Sequence, residues 1–220
     1  MSGLASYIDH TILKPTTTHI DINKICDEAL EYGFAAVCVP PSFVALARQS
    51  GARVATVIGF PFGYSVMRAK LAEVEQALAD GADELDVVIN LTALKEGDWG
   101  MLAGEMQLLM EPIHRAGRLL KVIIESGVLT DEEIIRCCTL YGGMGVDFLK
   151  TSTGYAEKGA SIEAVRLMRQ HLPPTVRIKA SGGIRTAVLA RQLIDAGASR
   201  LGTSSGVSLV CEQSAGAGGY

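Results

Sequence analysis

The sequence predicts a single-domain α/β fold, a (β/α)8 or TIM barrel, and three observations carry that reading. A phrase recurs in which an amphipathic stretch ends at Gly, a few residues follow, and a β-branched apolar run begins. Copies are EYGFAAVCV around Gly33, QSGARVATVI around Gly51, DGADELDVVI around Gly81, RAGRLLKVII around Gly117, GGMGVDFLK around Gly145 and DAGASRLG around Gly197. Gly suits the left-handed position that ends many helices. Val- and Ile-rich runs without alternation suit a parallel sheet buried on both faces. The second observation is the number of candidate strands, eight: 7–11, 35–39, 54–58, 84–88, 119–124, 147–150, 176–179 and 200–202. The third is helical spacing between them, as at 67–79 and 162–171, with Pro173-Pro174 breaking the chain before the seventh strand. A doubly wound open sheet is the alternative. The barrel is preferred because no GxGxxG turn follows the first strand and polar residues gather at the C-terminal ends of many strands. Residues 1–210 are expected to form the barrel and 211–220, ending GAGGY, a flexible tail.

At 220 residues and 48% apolar, the chain can bury one substantial core. A formal net charge of −4 and a pI near 5.6 argue against nucleic acid or a membrane surface as partner, since both call for a basic face. Mean hydropathy is +0.26, but the most apolar stretches, such as 119–124, are short and interrupted by Lys121. A spanning helix needs roughly 20 apolar residues. The start MSGLASYIDH has neither a basic nor an apolar leader region, so a cytoplasmic location is the expectation. Cys26, Cys38, Cys137, Cys138 and Cys211 form no CxxC pair and have no His at ligand spacing, so no metal is expected. Their odd number fits free buried thiols.

In a barrel the C-terminal strand ends and the loops after them build the site. Asp86 lies within ELDVVI on the fourth strand, Lys150 ends DFLK on the sixth, and Lys179 ends RIK on the seventh. Strands six and seven are neighbours, so the two lysines should approach at the mouth, where each charge disfavours protonation of the other. At the reference pKa of about 10.4, roughly one lysine in 2,500 is neutral at pH 7, and neutral amine is what attacks a carbonyl. Asp86 would supply an acid/base partner. Taken singly, each lysine reads as a strand-end residue reaching for solvent; the pair with a carboxylate favours catalysis. Glu84, on the same face as Asp86 and deeper, reads as structural. Lys121 and Glu125 share parity on the fifth strand and would form a structural ion pair. Cys38 reads as a small buried residue, and His10, His19, His114 and His171 have no assigned role.

Two loops look ready for phosphate. Gly182 and Gly183, in ASGGIR, let backbone N–H groups approach an anion, and Gly202, Ser204 and Ser205 precede a possible helix whose N-terminus favours negative charge. An ordinary turn and serine capping are the bland alternatives for each. Their joint position after strands seven and eight favours phosphate.

The same residues resemble the deoxyribose-phosphate aldolase family over essentially the whole chain. The resemblance rests on DHTILKP (9–15), GFPFG (59–63), ADELDVVIN (82–90), KVIIESG (121–127), DFLKTSTG (147–154), KASGGIR (179–185) and GTSSG (202–206). It implies a class I aldolase that cleaves 2-deoxy-D-ribose 5-phosphate to D-glyceraldehyde 3-phosphate and acetaldehyde. By the same resemblance neither cofactor nor metal is expected. By motif, Lys150 would form the Schiff base, Lys179 would tune it, and Asp86 would move protons with Lys179 and a water. Gly182, Gly183, Arg185, Gly202, Ser204 and Ser205 would hold phosphate, with Thr153 and Gly154 adjoining. Some members carry Lys where this chain has Tyr155, which shifts phosphate binding toward backbone amides and the last two loops. Tyr220 matches a terminal tyrosine that folds over the site, a candidate for proton transfer. The family's members are dimers or larger, so a homo-oligomer, dimer or tetramer, is expected. The competing readings are an isomerase or synthase barrel using carboxylates alone, and a phosphosugar-binding module without catalysis.

Overall fold

A computed structural model describes residues 3–217, with side chains to Glu212. Eight parallel strands close into a barrel in sequence order: β1 (Ile8–Thr11), β2 (Ala36–Val39), β3 (Val54–Ile58), β4 (Glu84–Val88), β5 (Leu119–Ile123), β6 (Phe148–Lys150), β7 (Arg177–Ser181) and β8 (Arg200–Thr203). β8 pairs with β1 through Ile8 with Leu201, Asp9 with Gly202 and His10 with Thr203, which completes the closure. The helices are α1 (His19–Tyr32), α2 (Val44–Arg48), α3 (Met67–Ala79), α4 (Leu91–Lys95), α5 (Trp99–Arg115), α6 (Asp131–Met144), α7 (Ile162–His171), α8 (Ala187–Asp195) and α9 (Gly206–Ala217). Capping boxes at Thr18/Asp21 and Thr130/Glu133 start α1 and α6, and Gly33 and Gly145 close them as left-handed caps. Among the described residues no helix is long and apolar enough to cross a membrane.

The strand expectations differ from the structure only at their ends. Tyr7 belongs to a 3-10 turn, and β7 extends past Lys179 to Ser181. α9 continues to Ala217, past position 211 where a tail is expected to start. Tyr220 lies outside the described residues. Cys26, Cys38, Cys137 and Cys138 are buried free thiols, whereas Cys211 is exposed.

The main core lies between barrel and helices, with Ile8, Val37, Val54, Leu85, Val122, Leu149, Ile178 and Leu201 facing outward. Strand alternation sends the residues between such outward positions inward. There the lining divides: Ala36, Cys38, Ala55 and Val57 make a small apolar wall on β2 and β3, capped by Leu13 and Phe60. The other strands contribute charge.

Candidate active site

Seven ionisable side chains meet inside the barrel. Asp86 accepts from Lys121 at 2.6 Å on Oδ1, and from Lys150 at 2.7 Å and Lys179 at 2.8 Å on Oδ2. Lys179 also reaches Asp9 at 2.5 Å, and Lys121 reaches Glu84 at 2.6 Å and Asp9 at 3.7 Å. Arg200 closes the lower layer on Asp9 at 2.6 Å and Glu84 at 3.0 Å. All seven are buried. Three carboxylates thus face four cations, with half-exposed Arg53 adding a fifth, 3.5 Å from Glu84. Buried charge is costly unless balanced. The inner seven reach neutrality when one amine gives up its proton.

Contacts decide which amine that is. Burial pulls the Lys179 pKa down, but Asp86 and Asp9 outweigh it and hold the group above its ordinary value. Lys121 is likewise raised, burial being overcome by Asp86 and Glu84. Lys150 touches Asp86 alone; burial first, then the Lys179 charge, push its pKa below the ordinary lysine value against the pull of Asp86. Burial works to raise Asp86, yet Lys121, Lys150 and Lys179 hold it well below the usual carboxylate range. It stays an anion.

Lys150 is also the one lysine of this cluster that lines the cavity at the C-terminal mouth, a space of about 540 Å³. The same cavity is lined by Thr153, Gly154, Gly182, Gly183, Arg185, Gly202, Ser204 and Ser205, so every described residue proposed for phosphate meets Lys150 there. Gly182 and Gly183 carry φ of +88° and +77°, a backbone that turns their loop and that side chains resist. Ser204 and Ser205 directly precede α9, whose N-terminus faces the mouth.

Two expectations need correction. Lys179 is 0% exposed and sits inside the barrel rather than at its mouth, beside Lys150 in the β6–β7 register. Lys121 pairs with Asp86 and Glu84, not with Glu125. After β5 the chain turns at Glu125, where φ is +53°, so strand parity no longer applies. The Glu125 carboxylate instead accepts from the backbone N–H of Thr153 at 3.1 Å and from its hydroxyl. Glu84 is structural in its contacts, as expected. Sequence reasoning missed Asp9 and Arg200. Asp9 follows Ile8 in the strand IDHT, and its carboxylate at an inward position was the available signal. Cys38 lies on the apolar wall near Lys150 and Lys179.

The family model for DeoC/LacD family aldolases matches residues 4–210. A deoxyribose-phosphate aldolase of Thermococcus gammatolerans is 50% identical over 213 residues, which cover 94% of this chain and 95% of that protein. The Caldicellulosiruptor saccharolyticus enzyme of the same name is 47% identical, with 95% of this chain and 97% of that protein covered. Among solved structures, an aldolase designated QR15 superposes with a TM-score of 0.93 at 38% identity, covering 98% of this chain and 97% of the other. A tetrameric deoxyribose phosphate aldolase from Aeropyrum pernix gives 0.85 at 34%, covering 96% and 91%. The chain belongs to the DeoC/LacD family of aldolases.

Proposed function

We propose that this chain is a class I aldolase that reversibly cleaves 2-deoxy-D-ribose 5-phosphate to D-glyceraldehyde 3-phosphate and acetaldehyde through a Schiff base on Lys150. The observation that carries the reading is the asymmetry of the cluster: Lys150 has the depressed pKa and the open side, while Lys121 and Lys179 are locked by carboxylates.

The neutral Lys150 amine adds to C1 of the open-chain sugar, and loss of water gives a protonated imine. That cation forms beside Asp86, a carboxylate already fixed in place, so little reorganisation accompanies the new charge. The C3 hydroxyl then gives its proton to a water on the path that runs to Asp86 and Lys179. The C2–C3 bond breaks, its electron pair moves into the C1–N system, and glyceraldehyde 3-phosphate leaves an enamine behind. Protonation at C2 restores the imine, and addition of water releases acetaldehyde and the free amine. Asp86 is a weak base, since the Lys121 and Lys179 ammonium groups lie against it; it serves as counterion and as one end of a proton path shared with Lys179 and water. Gly182, Gly183, Arg185, Gly202, Ser204 and Ser205 hold the phosphate, with Thr153 and Gly154 at the adjoining wall. Tyr220, outside the described residues, is the candidate for proton transfer to the enamine.

Self-association as a dimer or tetramer is part of this reading, supported by the tetrameric Aeropyrum pernix relative. So is a cytoplasmic location, which suits a phosphorylated substrate. The test is borohydride reduction with acetaldehyde, followed by peptide mass spectrometry. An ethyl adduct on Lys150, absent from Lys150→Met, is the expected result. An adduct on Lys179 would overturn the assignment, and no adduct would favour an isomerase-type barrel.

A further inference from the structure

Across the mouth, Tyr155 joins two loops. Its hydroxyl donates to the Leu13 carbonyl at 2.7 Å, its ring stands edge-on to Phe60 with centroids 5.3 Å apart, and its backbone N–H donates to Thr153 Oγ1 at 3.1 Å. The β6–α7 loop is thereby tied to the β1–α1 loop one residue before Lys14. On its other side the Lys14 turn is closed by Thr17, whose N–H and hydroxyl donate to the Lys14 carbonyl at 3.1 and 2.7 Å. Lys14 lines the cavity with Gly182, Gly183, Ser204 and Ser205.

A phosphate monoester carries close to two negative charges near pH 7, and amides and hydroxyls cancel none of it. Besides Lys150, the described lysines and arginines lining the cavity are Lys14, Lys24 and Arg185. Lys24 is 73% exposed and stands 3.8 Å from Glu28. The acidic groups on that wall have hydrogen-bond partners of their own: Asp21 accepts from the N–H and hydroxyl of Thr18 at 2.8 and 2.7 Å while also feeling the Lys24 and Lys14 charges, and Glu28 meets His10 at 2.7 Å. Lys14, exposed like Lys24, therefore lies at the cavity wall on a loop held on both sides, beside a region rich in anion-binding donors. We propose that Lys14 supplies a cation for the substrate's phosphate and that Tyr155 positions it by clasping the β1–α1 loop, an inference that rests on the phosphosugar reading above. Tyr155 is a positioning residue here; the charge belongs to Lys14.

The experiment compares the full chain, Lys14→Gln, Tyr155→Phe and the double variant. Binding of inorganic phosphate is measured by calorimetry, and kcat/KM is measured for 2-deoxyribose 5-phosphate and for 2-deoxyribose. Lys14→Gln weakens phosphate about tenfold and lowers the ratio of the two kcat/KM values by a similar factor, the scale of one charged hydrogen bond. Tyr155→Phe keeps the ring against Phe60 and lowers the ratio a few-fold; in the Lys14→Gln background it adds nothing. A ratio that Lys14→Gln leaves unchanged overturns the proposal, as does a Tyr155→Phe effect of equal size in both backgrounds. The phosphate titration needs no turnover. Failure of the aldolase reading is seen separately, as the absence of a borohydride adduct on Lys150.

Discussion

Replacing Lys179 with Leu should move the reactivity of Lys150 to higher pH. Both amines lie against Asp86 Oδ2, at 2.7 and 2.8 Å. Their nitrogens are then roughly 5 Å apart, and at an effective dielectric of about 20 two unit charges at that distance repel by about 3 kcal/mol. That energy is a factor of about 10² in the protonation equilibrium. The charge count points the same way. Without Lys179, Lys121, Lys150 and Arg200 face Asp9, Glu84 and Asp86, so neutrality requires Lys150 to keep its proton. The assay is the rate of acetaldehyde trapping by borohydride, read by intact-protein mass spectrometry between about pH 6 and 10. Trapping in Lys179→Leu should slow by about 10² near pH 7 and recover in alkaline solution, where the amine is neutral again. Breaking a buried ion pair costs about 3–5 kcal/mol of stability, so the comparison is made at a temperature where near-ultraviolet circular dichroism shows the variant folded. A folded variant with the wild-type pH profile would refute the reasoning, because the Lys179 charge would then have no hold on Lys150.

Ser204→Asp should raise KM for 2-deoxyribose 5-phosphate much more than for 2-deoxyribose, since a carboxylate at the cavity wall repels phosphate; equal effects on both would place the phosphate elsewhere. Acid stability should depend on Asp9, which burial pushes up but Lys179, Lys121 and Arg200 bring down to about 2 from 3.8. Because its folded pKa is the lower, the unfolded chain takes the proton first on acidification. The stabilisation, about 2 kcal/mol, is complete above roughly pH 5 and lost as pH falls through about 2. Urea unfolding across that window should give a flatter pH dependence for Asp9→Asn, and an equal slope would remove Asp9 from the account. Gly63→Ala should destabilise the fold by about 2 kcal/mol or more, since φ is +68° and a Cβ there would collide with the Ile89 carbonyl. A melting temperature within about 1 °C of wild type would contradict this, given roughly 2–4 °C per kcal/mol for a chain of this size.

Local chemistry made the barrel legible. The β3 and β4 limits follow from the β-branched runs after Gly51 and Gly81, and α3 and α7 from their spacing, because each of these signals is local. Strand ends are harder: they depend on where the neighbouring strand stops, and β7 extends to Ser181 because Ser181 pairs with Gly202 on β8. Lys150, Lys179 and Asp86 were readable as polar residues in apolar strands, and the cavity-lining loops as glycine and serine after strands seven and eight. Asp9 and Arg200 were not assigned roles. Asp9 meets Lys179 and Arg200 from 170 and 191 residues away and Arg200 meets Glu84 from 116, spans that only the closed barrel bridges.

The choice among the buried lysines shows what closure adds. In the sequence Lys150 and Lys179 are alike, each ending an apolar strand, and mutual repulsion lowers one pKa without saying which. Burial is the first cause acting on both, and it too favours neither. The difference lies in the carboxylates each amine meets: Lys179 has Asp9 and Asp86, Lys121 has Glu84 and Asp86 with Asp9 further off, and Lys150 has Asp86 alone, on an oxygen it shares with Lys179. With four inner cations and three carboxylates, the proton is lost where the fewest anions hold it. That amine is also the one bordering the cavity, so the group most able to attack a carbonyl is the group a carbonyl can reach.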